Sequence, residues 1–177
     1  APTYWAIAER TKSASGCAVD SHRLIGPLAD AWESRSIARM LRVRAGTMVS
    51  VNYQINPLSI AAPAANYAHA VLSDRPERWL HTSGVVPTAP DGSTPSEVSA
   101  QAAVVWENIA AMLSEAEMVP SDIVSVTTYV VVGEPLGPVM AARDAFLDGH
   151  RAASTLVTVP ELAQPHWRME VAIVAAS

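Results

Sequence analysis

Near the end of the chain two opposite charges, Arg168 and Glu170, stand two residues apart in a run that is otherwise apolar up to Ala175. Residues i and i+2 of a strand share a face. The pair either faces a cleft together or is an ion pair, and the ion pair is the expected outcome, since exposed charges at strand ends usually do no more than that. Glu170 also draws notice alone. A carboxylate inside an apolar strand must be paired or hydrogen-bonded, which favours a role in a site. Other chemistry-bearing residues offer less. His69 and His81 fall in apolar runs with no second ligand at metal spacing, so no metal site is expected. His166 and Trp167 lie in a loop beside Pro165, positioned to rim a cleft. Cys17 has nothing near it in sequence that would activate a thiolate. No Ser-His-Asp order, phosphate-binding glycine loop or dinucleotide glycine pattern is present.

These residues need a scaffold, and composition bounds it. The chain has 177 residues, half of them hydrophobic and 16% charged, enough apolar surface for a core and too much for disorder. No apolar run is long enough to span a bilayer, so no membrane partner is expected. A single cysteine allows no intrachain disulfide and suggests a reducing, cytoplasmic setting. Charge is uneven. Residues 1–47 hold seven of the twelve basic residues against four acids, net +3; residues 48–177 hold five arginines against thirteen acids, net −8. An acidic main domain repels phosphate backbones, which excludes nucleic acid as an expected partner. The basic segment reads as a solvated tail.

Along the chain, residues 1–47 read as an N-terminal extension, with a loop over Thr11–Gly16, a helix over Leu28–Val43, and Met48 as a candidate start of the core protein. Residues 48–177 read as one domain. The Ala/Pro stretch Ala61–Ala65 is linker-like. Asn66–Leu72 and Arg78–Val85 read as an antiparallel hairpin about the turn residues 73–77. Asp91-Gly92 marks another turn. Thr94-Pro95-Ser96-Glu97 has the form of a capping box, opening a helix whose stripe is Val98, Ala102, Val105, Ile109, Met112 and Ala116. Ile123–Val132 is β-branched and reads as a strand. A second helix is expected over 138–148, with the Arg143 stem on its apolar side and its head in water. Ser154–Val159 and Arg168–Ala175 close the chain as strands. The order ββ–α–β–α–ββ implies a mixed sheet with both helices on one face. The other face is too apolar to stay wet, an argument for self-association.

The same residues resemble the RidA/YjgF (Rid) family. Asn66-Tyr67-Ala68-His69-Ala70-Val71 is similar to its Y-S-H-A-V strand, and Ser83-Gly84-Val85-Val86-Pro87 to its S-G-Q-x-P. Gln101, with Glu107-Asn108-Ile109, matches its helix. Asp122–Thr127 is similar to D-V-V-x-V-T, Ala153-Ser154-Thr155 to P-A-[RS]-[ST], and Met169-Glu170-Val171 to the closing I-E strand. Six motifs in order over the last two-thirds of the chain are specific at the level of family.

The resemblance implies a chorismate-mutase-like α+β fold and a homotrimer with a ligand cleft between subunits. It implies hydrolysis of small enamines or imines to a 2-oxo acid and ammonia, with no metal or organic cofactor. It makes Glu170 the water-assisting residue and Tyr67, Gly84, Ser154 and Thr155 ligand-binding positions, with Val85 replacing a glutamine on the cleft wall. Arg168 is a further candidate. The family arginine that holds the substrate carboxylate aligns with Ser154, which offers one donor and no charge. That places the chain with arginine-lacking branches and leaves two readings: a hydrolase of altered substrate, or a non-catalytic trimer that binds a small metabolite or a protein.

Overall fold

The computed structural model describes residues 51–177; the extension, its expected helix and Cys17 lie outside the described residues. The strands are β1 (Asn52–Ile55), β2 (Ala70–Ser73), β3 (Trp79–His81), β4 (Ile123–Val131), β5 (Ala153–Val159) and β6 (Met169–Ala176), and the helices are α1 (Val98–Glu115) and α2 (Leu136–Leu147). The main sheet runs β3-β6-β4-β5, parallel between β4 and β5 and antiparallel elsewhere. A parallel step needs a crossover, and α2 supplies it. Both helices pack on one face of this mixed sheet, giving the expected α+β architecture.

The expected hairpin does not form. β2 pairs with β1, a strand the sequence reading missed, while β3 pairs with β6. The cause lies in where residues 74–78 place their amides. Glu77 and Arg78 both donate to the carbonyl of Ser177 (2.8 and 2.9 Å), and Asp74 donates to Val51 (2.8 Å). Arg75, at φ 53°, helps turn the chain from the ribbon into the sheet instead of back along β2. Asn52 ties the two sheets: its Nδ2 donates to Ala176 O (2.7 Å) and its Oδ1 accepts from Ser73 Oγ (2.7 Å).

The turn at Asp91-Gly92 forms, with Gly92 at φ 85°. Asp91 Oδ1 accepts from the Ser93 hydroxyl (2.6 Å) and amide (2.9 Å), bonds that hold its carboxyl below the ordinary range. The capping box does not form. α1 begins at Val98, Thr94 Oγ1 sits 3.5 Å from Thr88 Oγ1, and the Pro95 carbonyl is taken by Gln101. The stripe Val98, Ala102, Val105 and Ile109 is buried, but Leu113 replaces Met112 in the core. α1 turns that way because α2 packs on its Trp106 side, where the Trp106 and Phe146 rings stack at 4.8 Å. The Arg143 head is likewise not in water. It is buried, and its Nε and Nη2 both donate to Asp144 Oδ1 (2.9 and 2.7 Å).

The core is built from alternate strand residues. Val126, Val130, Met169, Val171 and Ile173 meet Ala102, Val105 and Ile109 of α1 and Val139 and Leu147 of α2. Each such side chain contributes about 1.5–3 kcal/mol on burial.

Candidate functional site

Strand register fixes what the uncovered face displays. Cross-strand partners share a face. Glu170, Tyr129 and Val157 therefore form one row across β6, β4 and β5; Ala172, Thr127 and Thr155 form the next; Val174, Ser125 and Ala153 form the third. These residues are half-buried or exposed, and on β4 and β6 their sequence neighbours are buried.

Within that display Glu170 and Gly84 touch. A Cβ built on Gly84 would lie 1.7 Å from Glu170 Oε1, so the carboxylate sits against the Gly84 backbone and a larger residue there would displace it. Val85, the next residue, exchanges backbone bonds with Val171 (2.7 and 3.1 Å), which seats the Gly84 strand beside β6. The Val85 side chain itself points into the core and lines no cleft wall, because strand alternation sends it to the face opposite Gly84.

The other candidates are distributed. Ala68 bridges Ala153, with its amide on Ala152 O (3.0 Å), which sets Tyr67 beside the start of β5. The Tyr67 hydroxyl accepts from the Ala64 amide (3.3 Å), and its ring meets His69 edge-on. Ser154 shares a face with Val126, so register places it on the helix-covered side; its hydroxyl makes only a long bond to Ala152 O (3.4 Å). Thr155 is exposed on the Glu170 side, one row away. The expected Arg168–Glu170 ion pair is absent. Arg168 Nε instead lies 3.6 Å from Glu134 Oε1, since the loop after β4 brings Glu134 to the end of β6. The structure thus joins Gly84 to Glu170, and Tyr67 to the root of the Ser154 strand, while Arg168 turns elsewhere.

Two amides that the sequence reading used only as motif letters hold this arrangement. Gln101 is fully buried. Its Nε2 donates to Pro95 O (2.7 Å) and His166 O (2.8 Å), and its Oε1 accepts from the Arg168 amide (2.7 Å). Asn108 Nδ2 donates to Thr88 O (3.0 Å) and, more loosely, Val86 O (3.4 Å). The readable signal was an amide set in an apolar helix stripe, a place where polar groups must find partners. Tyr129, across from Glu170, was likewise missed; alternation along β4 predicts its facing once the register is known.

A groove of about 440 Å³ lies away from Glu170. It lies toward the third row, between Ser125, Ala153 and Val174 and the β2 residues His69 to Ser73. It is an open surface trough in a single chain, and the Glu170–Gly84 contact carries more chemical information than its volume. Among the described residues no group of three or more His, Cys, Asp or Glu is placed to hold a metal, and no helix is long and apolar enough to cross a membrane.

A mixed four-stranded sheet backed by two helices, with a carboxylate laid on a glycine of the uncovered face, defines the class of α+β protein. Comparison with known proteins then places it. The model of the Endoribonuclease L-PSP family matches residues 59–177. The structure is similar to that of YyfB from Yersinia pestis, a Rid-family protein of unknown function, at 30% identity and TM-score 0.66, covering 72% of this chain and 99% of that one. It is similar to the YjgF gene product of E. coli at 27% identity and TM-score 0.53, covering 70% and 98%. E. coli TdcF, solved with bound serine, shares the fold at 22% identity and TM-score 0.53, covering 71% and 98%. The chain belongs to the Rid (YjgF, Endoribonuclease L-PSP) family. Among curated proteins none matches it.

Proposed function

We propose that this protein is a Rid-type hydrolase acting on small reactive enamines, imines or related labile carbonyl derivatives. The observation that carries this reading is the Glu170 carboxylate resting on the Gly84 backbone, on the sheet face that the helices leave uncovered. In the proposed step, on an imine or on an enamine tautomerised to one, Glu170 takes a proton from a held water as the oxygen attacks the imine carbon and returns that proton to the nitrogen; as the C–N bond of the resulting carbinolamine breaks, the hydroxyl proton passes to the departing nitrogen, leaving ammonia and a carbonyl. Tyr67, Thr155 and the Gly84 backbone fix the ligand. No metal or organic cofactor enters this step.

The reading includes a homotrimer whose clefts lie between subunits. It is supported by the half-exposed apolar residues of the uncovered face, Val157 and Val174 among them, and by Trp79 at the sheet edge. It also includes a cytoplasmic setting, consistent with the single cysteine. Ribonucleolysis is disfavoured, because the domain's net charge of −8 opposes a phosphodiester chain.

A second reading, a non-catalytic trimer that binds a small molecule or a protein, draws support from Ser154. It brings no charge and lies on the covered side by register. The two readings separate in one experiment. The protein is mixed with enzymatically generated 2-aminoacrylate, and 2-oxo acid release is followed above the uncatalysed rate. Turnover supports the hydrolase. No turnover, with small carboxylates raising the unfolding temperature in proportion to their occupancy, supports the binding module.

A further inference from the structure

Helix α1 holds the segments that flank both partners of the Glu170–Gly84 contact. Gln101 and Asn108 are seven residues apart, two helical turns, and so lie on one side of α1. Gln101 grips the Arg168 amide, two residues before Glu170, and at the same time the His166 carbonyl of the preceding loop. Asn108 grips the carbonyls of Val86 and Thr88, just after Gly84. Between these two anchors the strands are joined by the Val85–Val171 backbone pair. We propose that Gln101 and Asn108 are positioning residues: a two-amide clamp that sets how closely the Gly84 backbone approaches the Glu170 carboxylate. This rests on the hydrolase reading for its effect on rate, and on geometry alone for its effect on the strand pair.

The geometry supports function over simple packing in one respect. A side chain fully buried in an apolar stripe could be replaced by leucine with gain of apolar contact. Gln101 instead engages three backbone groups from two segments, and it would leave all three unsatisfied if removed. The approach is close, since a single added carbon at Gly84 would overlap the carboxylate where it now rests.

The test uses Asn108→Ala, at a half-buried position, with Gln101→Glu as a second variant that keeps the acceptor for Arg168 and loses both donors. Amide hydrogen exchange is read at Val85 and Val171, with Val130 and Val157 as controls in the β4–β5 region. The clamp requires exchange at Val85 and Val171 to quicken by about fivefold, the loss of one net hydrogen bond, with the controls unchanged. Uniform quickening at all four positions would show a merely structural role and overturn it. The second readout is kinetic. Asn108→Ala should lower kcat by up to about a hundredfold with KM little changed, the expected cost of a misplaced reacting group. It should have no further effect when added to Glu170→Gln. An additive loss in the double variant overturns the clamp. If the wild-type protein turns nothing over, the hydrolase reading falls, and the clamp is still judged by exchange.

Discussion

The two faces of the four-stranded sheet are written by alternate residues of the same strands, yet they do different work. On the covered face Val126, Val130, Met169, Val171 and Ile173 are packed against helices and nearly solvent-free. On the uncovered face the intervening residues, from Ser125 to Tyr129 on β4 and from Glu170 to Val174 on β6, keep polar atoms and partial exposure. The buried core lies on one side, and the Glu170 carboxylate with its half-exposed neighbours on the other. A shift of one residue in register would exchange them. The lesson is that strand parity, more than residue type, decides whether a position in β4 or β6 is buried in the core or left on the uncovered face.

The contrast can be broken or sharpened by substitution. The largest expected effect is on the covered face. Ile173→Ala should destabilise by about 2–5 kcal/mol, read as a lowered denaturant midpoint, because the core cannot collapse onto the cavity. An Ile173→Ala variant of unchanged midpoint would break the comparison. Next comes Gly84→Ala, against Glu170 on the uncovered face. The added carbon must push the Glu170 carboxylate aside. It should lower turnover by about a hundredfold while costing about 1–3 kcal/mol of stability; intact activity would show that the carboxylate position is not demanding. On the uncovered face Val157→Asp should leave the folded spectrum intact but shift sedimentation from trimer to monomer, since a charge would then be buried unpaired at the proposed interface. Unaltered assembly would move the interface elsewhere. The smallest effect belongs to Arg75→Ala. Its ion pair with Asp74 (3.4 Å) is exposed and should contribute about 0–1 kcal/mol in thermal unfolding.

Much of the scaffold was legible in the sequence because periodicity carries it. The four-step stripe of α1, the β-branched run of β4 and the apolar closing strand each announce a type of element. What failed depended on distant partners. The turn residues 73–77 look like a hairpin locally, and nothing in them shows that Ser177 will claim the Glu77 and Arg78 amides. The capping box failed because the helix starts only at Val98, with Glu97 in the cap position, while the Thr94 hydroxyl lies beside that of Thr88. For the site, Glu170 and Gly84 were readable as a polar residue and a glycine at strand positions, but their contact was not. Arg168 was expected to pair with Glu170 two residues away, and Glu134, brought in by the loop after β4, took it instead. Ser154 and Thr155 are neighbours in sequence yet face opposite sides, a split that only the β4–β5 register reveals.

The role assigned to Glu170 is tested most directly by one comparison: the rate of 2-oxo acid release from 2-aminoacrylate by the wild-type protein and by Glu170→Gln at equal folded concentration. A carboxylate that takes the proton of the attacking water should be worth about a hundredfold or more, so the amide variant should fall by at least that factor while keeping its fold and assembly. A variant that releases product as fast as the wild type would contradict that role and leave the uncovered face to binding and assembly alone.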